Sequence, residues 1–189
     1  MKLSKNFSLK ELTRSQTADR KGIMNNPNED QIDKLQILCE FILQPVRDHF
    51  KQVVSVSSGY RSEELCVAIG SSINSQHAKG EAADFEITGV PNKQLADYIY
   101  KHLDFDQLIL EYHNPDEANS GWVHCSYKNK GNRKKEIITL RDLKICDFFG
   151  RKKIGKKSRP LNIWNEKFKN NLNPLDLTQD RNITDSISL

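Results

Sequence analysis

The sequence predicts an α+β domain in which a small, mainly antiparallel sheet is packed with helices. Short β-branched, alternating segments read as strands, and longer stretches carry apolar residues at helical spacing. A single long loop joins two strands that follow one another in the chain, as in a hairpin.

The elements follow in order along the chain. Residues 7–12 read as a short helix capped by Ser8, which pins the N-terminus to the body. Residues 13–28 are polar and turn-rich. Over 29–50, Ile32, Leu35, Ile37, Leu38, Phe41, Ile42 and Val46 recur at helical spacing and predict one amphipathic helix, with Pro45 able to kink its far end. Residues 52–57 alternate with β-branched side chains and form a strand that Gly59 ends. Ser62-Glu63-Glu64 opens a helix that runs to Ile69. Residues 82–88 are a second strand, 92–103 a helix and 105–112 a third strand; 122–127 and 136–140 complete the set. The loop 113–121 then makes a hairpin with a long tip.

At 189 residues the chain has room for one catalytic domain, 1–148, followed by a basic linker and polar tail, 149–189. An apolar fraction of 37% and a charged fraction of 29% describe a soluble protein. No apolar run approaches the roughly 20 residues of a membrane helix. Lys2 and Lys5 are followed by no apolar signal-peptide core, so synthesis in the cytoplasm without a signal peptide is expected. Cys39, Cys66, Cys125 and Cys146 are widely spaced and read as buried free thiols. The basic run at 151–159 reads first as a solvated linker and second as an attachment to an anionic polymer. It lacks zinc-finger spacing and interleaved aromatics, so sequence-specific nucleic-acid binding is not expected. The tail beyond it, with Trp164 and Phe168, reads as extended alone or docked on a partner.

The most informative stretch is Ser75-Gln-His-Ala-Lys-Gly-Glu-Ala-Ala-Asp-Phe85, with His77 and Asp84 seven positions apart. On a continuous helix that spacing is about 10.5 Å of rise, and on a strand more than twice that, so neither lets both side chains share one ion. The chain must turn back at Gly80, whose backbone freedom permits it. A third ligand is available in Trp122-Val-His124-Cys-Ser-Tyr127, where alternation puts Trp122, His124 and Ser126 on one face. Two neutral imidazoles and one carboxylate make a Zn2+ site with a fourth position left for water.

Ser58-Gly-Tyr-Arg-Ser62, the 75–85 stretch, Asp106-Gln-Leu-Ile-Leu-Glu111 and Trp122-Val-His124 stand in the order of a known family. Over about residues 7–146 the chain resembles the zinc D-Ala-D-Ala carboxypeptidases, including phage endolysin-type peptidases and the hedgehog peptidase-like domain. The resemblance implies that His77, Asp84 and His124 hold zinc, that Arg61 steadies a substrate carbonyl or carboxylate, and that Ser75 orients the peptide. Arg61 suits that role physically, since a planar guanidinium matches a carboxylate or developing oxyanion. Many relatives carry an acidic residue three positions before the last ligand, where this chain has Gly121. Glu111, on the partner strand of the hairpin, is therefore the expected general base, with Asp116 or Glu117 as fallbacks.

Competing structural roles stand beside these. Arg61 could pair with Glu63 or Glu64 on the surface, and Glu111 could be an exposed strand carboxylate. Trp122 is either a core aromatic or a substrate platform. His49 and His102 close helices, His113 is a loop residue or an outer partner of the site, and Cys125 faces away from His124. The function implied is hydrolysis of peptide bonds in peptidoglycan stem peptides at the bacterial cell wall, as a D,D-carboxypeptidase or an L,D-endopeptidase, by a phage lysis enzyme or virion component. The alternative is a virion structural or wall-binding protein that keeps the fold and zinc but turns over little, tethered to phage virion proteins through its C-terminal tail.

Overall fold

The computed structural model describes residues 1–114 and 116–128, together with the backbone of 136–140. Ser8 caps α1 (Leu9–Thr13): its side chain accepts from Glu11 N, and the Glu11 carboxylate accepts the Ser8 backbone N–H at 2.8 Å. Leu12 is fully buried and its carbonyl receives the Tyr60 N–H at 2.7 Å. The N-terminus is thereby tied to the end of the first strand.

Two expectations need correction. The polar stretch 13–28 contains a helix, α2 (Gln16–Lys21), which has too few apolar residues to show a period. It is set instead by the Ser15 hydroxyl, which accepts the Ala18 N–H at 3.2 Å, and by burial of Ala18. The helix predicted over 29–50 is three pieces: α3 (Glu29–Leu38), a π-helical turn (Cys39–Leu43) and α4 (Gln44–Phe50). The irregularity precedes Pro45 because proline has no N–H to give, and the wider turn, in which Gln44 N reaches Cys39 O, absorbs the missing bond. Leu35, Leu38, Ile42, Leu43 and Val46 are still buried, whereas Phe41 is 50% exposed and stacks on Tyr127 with ring centroids 5.0 Å apart.

The sheet has the order β1-β2-β4-β3-β5. Strands β1 (Val54–Ser58), β2 (Ala82–Ile87), β4 (Trp122–Ser126) and β3 (Gln107–Glu111) pair antiparallel, and β5 (Glu136–Leu140) joins β3 in parallel. Helix α5 (Glu63–Ala68), capped by Ser62, lies between β1 and β2 in sequence, and α6 (Asn92–His102) between β2 and β3. Alternation divides the sheet into two faces. Ala83, Phe85, Ile87, Leu108, Leu110, Val123 and Cys125 enter the core with α3, α4 and α6. A large side chain buried there, such as Phe85 or Leu108, contributes roughly 1.5–3 kcal/mol. The opposite face carries Asp84, His124, Trp122, Ile109 and Glu111.

Among the described residues no helix is long and apolar enough to cross a membrane. Cys39, Cys66 and Cys125 are buried free thiols. Cys146, the basic run 151–159, Trp164, Phe168 and the boundary expected near 148 lie outside the described residues.

Candidate metal centre

The second face of the sheet is where the sequence-predicted ligands meet. Asp84 of β2 pairs in register with His124 of β4, which pairs with Ile109 of β3, so Asp84 and His124 stand side by side on adjacent strands. His77 arrives from the turn before β2. Gly80 makes that turn with φ +74°, and a Cβ there would sit 2.6 Å from the Gln31 carbonyl oxygen, so only glycine fits against the first turn of α3. Gln31 completes the cradle by donating its side-chain amide to Ala78 O at 2.9 Å.

His77, Asp84 and His124 are all buried and offer ligand atoms within 4.8 Å of one another. The closest approaches are His77 Nε2 to His124 Nδ1 at 3.2 Å, His124 Nδ1 to Asp84 Oδ1 at 2.8 Å and His77 Nε2 to Asp84 Oδ1 at 3.2 Å. The edge of a tetrahedron with zinc–ligand bonds near 2.0–2.1 Å is about 3.3 Å. The three separations therefore suit a small divalent ion.

The outer nitrogens strengthen the fit. His77 Nδ1 lies 2.7 Å from Gly59 O, and His124 Nε2 lies 3.0 Å from Gln76 Oε1. A carbonyl oxygen can only accept, so in the tautomer with its proton on the outer nitrogen each imidazole donates to that carbonyl and turns a bare nitrogen inward, the form a metal ligand needs. Burial, opposed by Asp84, pushes His77 below the usual histidine range and keeps it neutral. Burial alone raises the Asp84 carboxyl, but His124 and His77 outweigh it and leave the group below the ordinary carboxylate range. Without a metal, an imidazole N–H can satisfy that carboxylate; with both protons on the outer nitrogens, two lone pairs face an anionic oxygen. A cation resolves that arrangement, and the residues present fit a metal.

Arg61 does not pair with Glu63 or Glu64. Its Nη2 donates to Asp84 Oδ2 at 2.6 Å and its Nε to Ser58 Oγ at 2.7 Å, so its first job is to hold the carboxylate whose other oxygen faces the imidazoles. Ser75 likewise has a local partner, its hydroxyl accepting the His77 N–H at 3.1 Å. Both still line the cleft of about 460 Å³ whose floor is the His77–Asp84–His124 cluster. Trp122 is half-buried at the edge of the cleft, against Tyr112 with ring centroids 4.6 Å apart.

Glu111 also lines the cleft, opposite Trp122 in the β3–β4 register. Burial and the Asp84 charge push its carboxyl above the usual range. The fallback residues Asp116 and Glu117 are exposed in the hairpin loop and do not line the cleft. The vacancy at Gly121 has a steric cause. Its φ is +69°, and a Cβ there would lie 1.7 Å from the Glu111 carbonyl oxygen, so no side chain can occupy that position while β3 and β4 keep this turn.

Sequence reading missed several supports of the site. Buried Asn25 donates to Thr13 O at 2.8 Å and Tyr60 O at 3.0 Å and accepts from Ser62 N at 2.7 Å, gripping the backbone on both sides of Arg61. In sequence it is one of a cluster of turn-forming residues, Asn25-Asn26-Pro27-Asn28, and carries no distinguishing signal. Gln31 and Gln76 were equally silent, although Gln76 lies between Ser75 and His77. His49 and His102 are exposed and flank the Tyr98 ring at 3.9 and 5.1 Å, away from the metal cluster. His113 is buried in the hairpin loop, and Cys125 faces the core as alternation requires.

No curated protein matches the chain. A family model described as Peptidase M15 matches residues 5–126, a span that holds every residue of the cleft floor together with Arg61 and Glu111. The geometry and that match agree, and the chain belongs to the Peptidase M15 family of metal-dependent peptidases of the D-Ala-D-Ala carboxypeptidase type.

Proposed function

We propose that this chain is a zinc metallopeptidase that hydrolyses peptide bonds in peptidoglycan stem peptides, acting at the bacterial cell wall in the manner of a phage endolysin. The observation that carries the reading is the set of inward-turned nitrogens and carboxylate oxygen on the floor of an open cleft, with a carboxyl of raised pKa on the same sheet face. His77, Asp84 and His124 would hold zinc, which would supply Lewis-acid polarisation of a carbonyl and acidify a water.

The chain's own groups do the rest. Glu111, ionised, takes a proton from the attacking water and returns it to the leaving amine; its raised pKa brings it nearer the working pH and suits it to both transfers. Arg61 fixes Asp84 and places a permanent positive charge beside the developing oxyanion. Ser75, Gln76 and Trp122 shape the walls that receive the peptide.

The cleft extends along β3 to both sides of the Ile109–His124 pair, toward Gln107 on one side and Glu111 on the other. The rival reading as a non-catalytic virion or wall-binding protein drew its support from the missing acid at position 121, and the close approach of the Glu111 carbonyl accounts for that vacancy sterically.

Incubating purified sacculi with wild type and Glu111→Gln, and measuring new free amino groups, tests the reading. Release by wild type, reduced ~10²–10⁴-fold in the variant, supports it. Equal and negligible release from both proteins, with metal still bound, contradicts it.

A further inference from the structure

We infer that Gln76 is a positioning residue of the metal centre: its side-chain oxygen selects the tautomer and ring orientation in which His124 presents Nδ1 to the ion. The inference rests on the metal-site reading above and adds to it a residue that does not itself reach the metal.

His124 has two ways to use its single neutral proton. With the proton on Nδ1, the ring donates to Asp84 Oδ1, 2.8 Å away, in a charge-assisted bond that blocks the nitrogen needed as a ligand. With the proton on Nε2, Nδ1 is bare and ready for the ion. Asp84 by itself favours the first state, so something on the far side of the ring must favour the second. Gln76 Oε1 lies 3.0 Å from Nε2 and accepts its proton.

The placement is built into the turn. Gln76 O accepts the backbone N–H groups of Lys79 at 3.2 Å and Glu81 at 2.9 Å, so the segment that delivers His77 to the site also fixes the base of the Gln76 side chain. One short turn therefore contributes a ligand directly and orients another ligand that comes from a distant strand. His77 has its own orienting acceptor in the Gly59 backbone carbonyl, 2.7 Å from Nδ1. His124 depends on a side chain for the same service, which makes this arm of the site separable by mutation.

The test compares wild type, Gln76→Leu and Gln76→Glu as full-length proteins. Leucine keeps the approximate bulk and removes the acceptor, whereas glutamate keeps an acceptor on a side chain of the same length. Zinc affinity is measured by competition with a chromophoric chelator, and the His124 Nε2–H proton is followed by ¹⁵N-edited NMR in the zinc-loaded proteins. Loss of such an outer partner typically weakens metal binding ~10–100-fold. The expected result is a fall of that size in Gln76→Leu with loss of the slowly exchanging Nε2–H signal, and near-wild-type affinity with the signal present in Gln76→Glu. Zinc bound by wild type and Gln76→Leu with equal affinity and an unchanged Nε2–H signal overturns the role given to Gln76 and leaves the metal site standing. Failure of wild type to take up zinc overturns both.

Discussion

Replacing Gly121 by alanine probes the link between the hairpin and the chemistry. The added methyl would lie 1.7 Å from the Glu111 carbonyl oxygen and 2.8 Å from the Tyr112 carbonyl carbon, whereas real Cβ contacts essentially never fall below 3.0 Å. The ends of β3 and β4 must therefore separate by more than an ångström, and the residue carried away is Glu111. A left-handed backbone at a non-glycine residue costs a further 1–2 kcal/mol, approximately. For a domain of this size that alone lowers the thermal midpoint by roughly 3–8 °C. A misplacement of about 1 Å at a catalytic group costs on the order of 10²-fold in rate. Gly121→Ala is thus expected to bind metal, because His77 and Asp84 lie outside the hairpin turn and His124 is held beside Asp84 by the β2–β4 pairing, while cleaving sacculi about 100-fold more slowly. Thermal melting, metal analysis and amino-group release on the same preparation check the three parts. An alanine variant with wild-type activity and an unchanged midpoint would refute the steric argument and, with it, the explanation of why no acid stands at 121.

The remaining predictions concern the supports of the cleft. Arg61→Ala removes the donor to Asp84 Oδ2 and should weaken zinc binding ~10–100-fold in a chelator competition, with Arg61→Lys recovering only part because one ammonium cannot replace the fork that spans Ser58 and Asp84. Glu111 has a folded-state pKa above its unfolded value, so ionising it opposes folding: its contribution is most favourable below the unfolded pKa, near 4.3, and is lost as pH rises through the folded value. Glu111→Gln should accordingly melt higher than wild type at pH 7–8, with the advantage vanishing near pH 4 as wild-type Glu111 itself becomes neutral; a lower midpoint at pH 8 contradicts the raised pKa. Asn25→Ala leaves a buried backbone group at Tyr60 and part-buried ones at Thr13 and Ser62 without their partner and should cost about 1–3 kcal/mol in denaturant unfolding.

Much of this architecture was legible because its signals are local. Alternation in 122–126 places His124 and Trp122 on one face and Val123 and Cys125 on the other, and the described sheet keeps that division. Gly80 between His77 and Asp84 marked the turn back, since neither regular structure brings residues at that spacing together. The parts that stayed hidden depend on tertiary neighbours. Asn25 and Gln76 find their acceptor and donor 35 and 48 residues away, and nothing in their immediate surroundings separates them from ordinary loop amides. Arg61 was recognised as a site residue but assigned to substrate, because its bond to Asp84 exists only once β1 and β2 pair and bring Ser58 opposite Asp84. The helix α2 was missed for a related reason: a capped hydroxyl and a single buried alanine suffice to stabilise it against the body, and six residues are too few to show a period.

Metal content reports on the His77–Asp84–His124 cluster itself. Wild type, His77→Ala and His124→Ala are purified in parallel, dialysed against trace zinc and analysed for bound metal, with circular dichroism confirming that each is folded. One zinc per wild-type chain is expected, and far less than one in either folded variant. A wild-type chain without zinc, or alanine variants that retain it in full, would contradict the claim that these two imidazoles and the Asp84 carboxylate hold the ion.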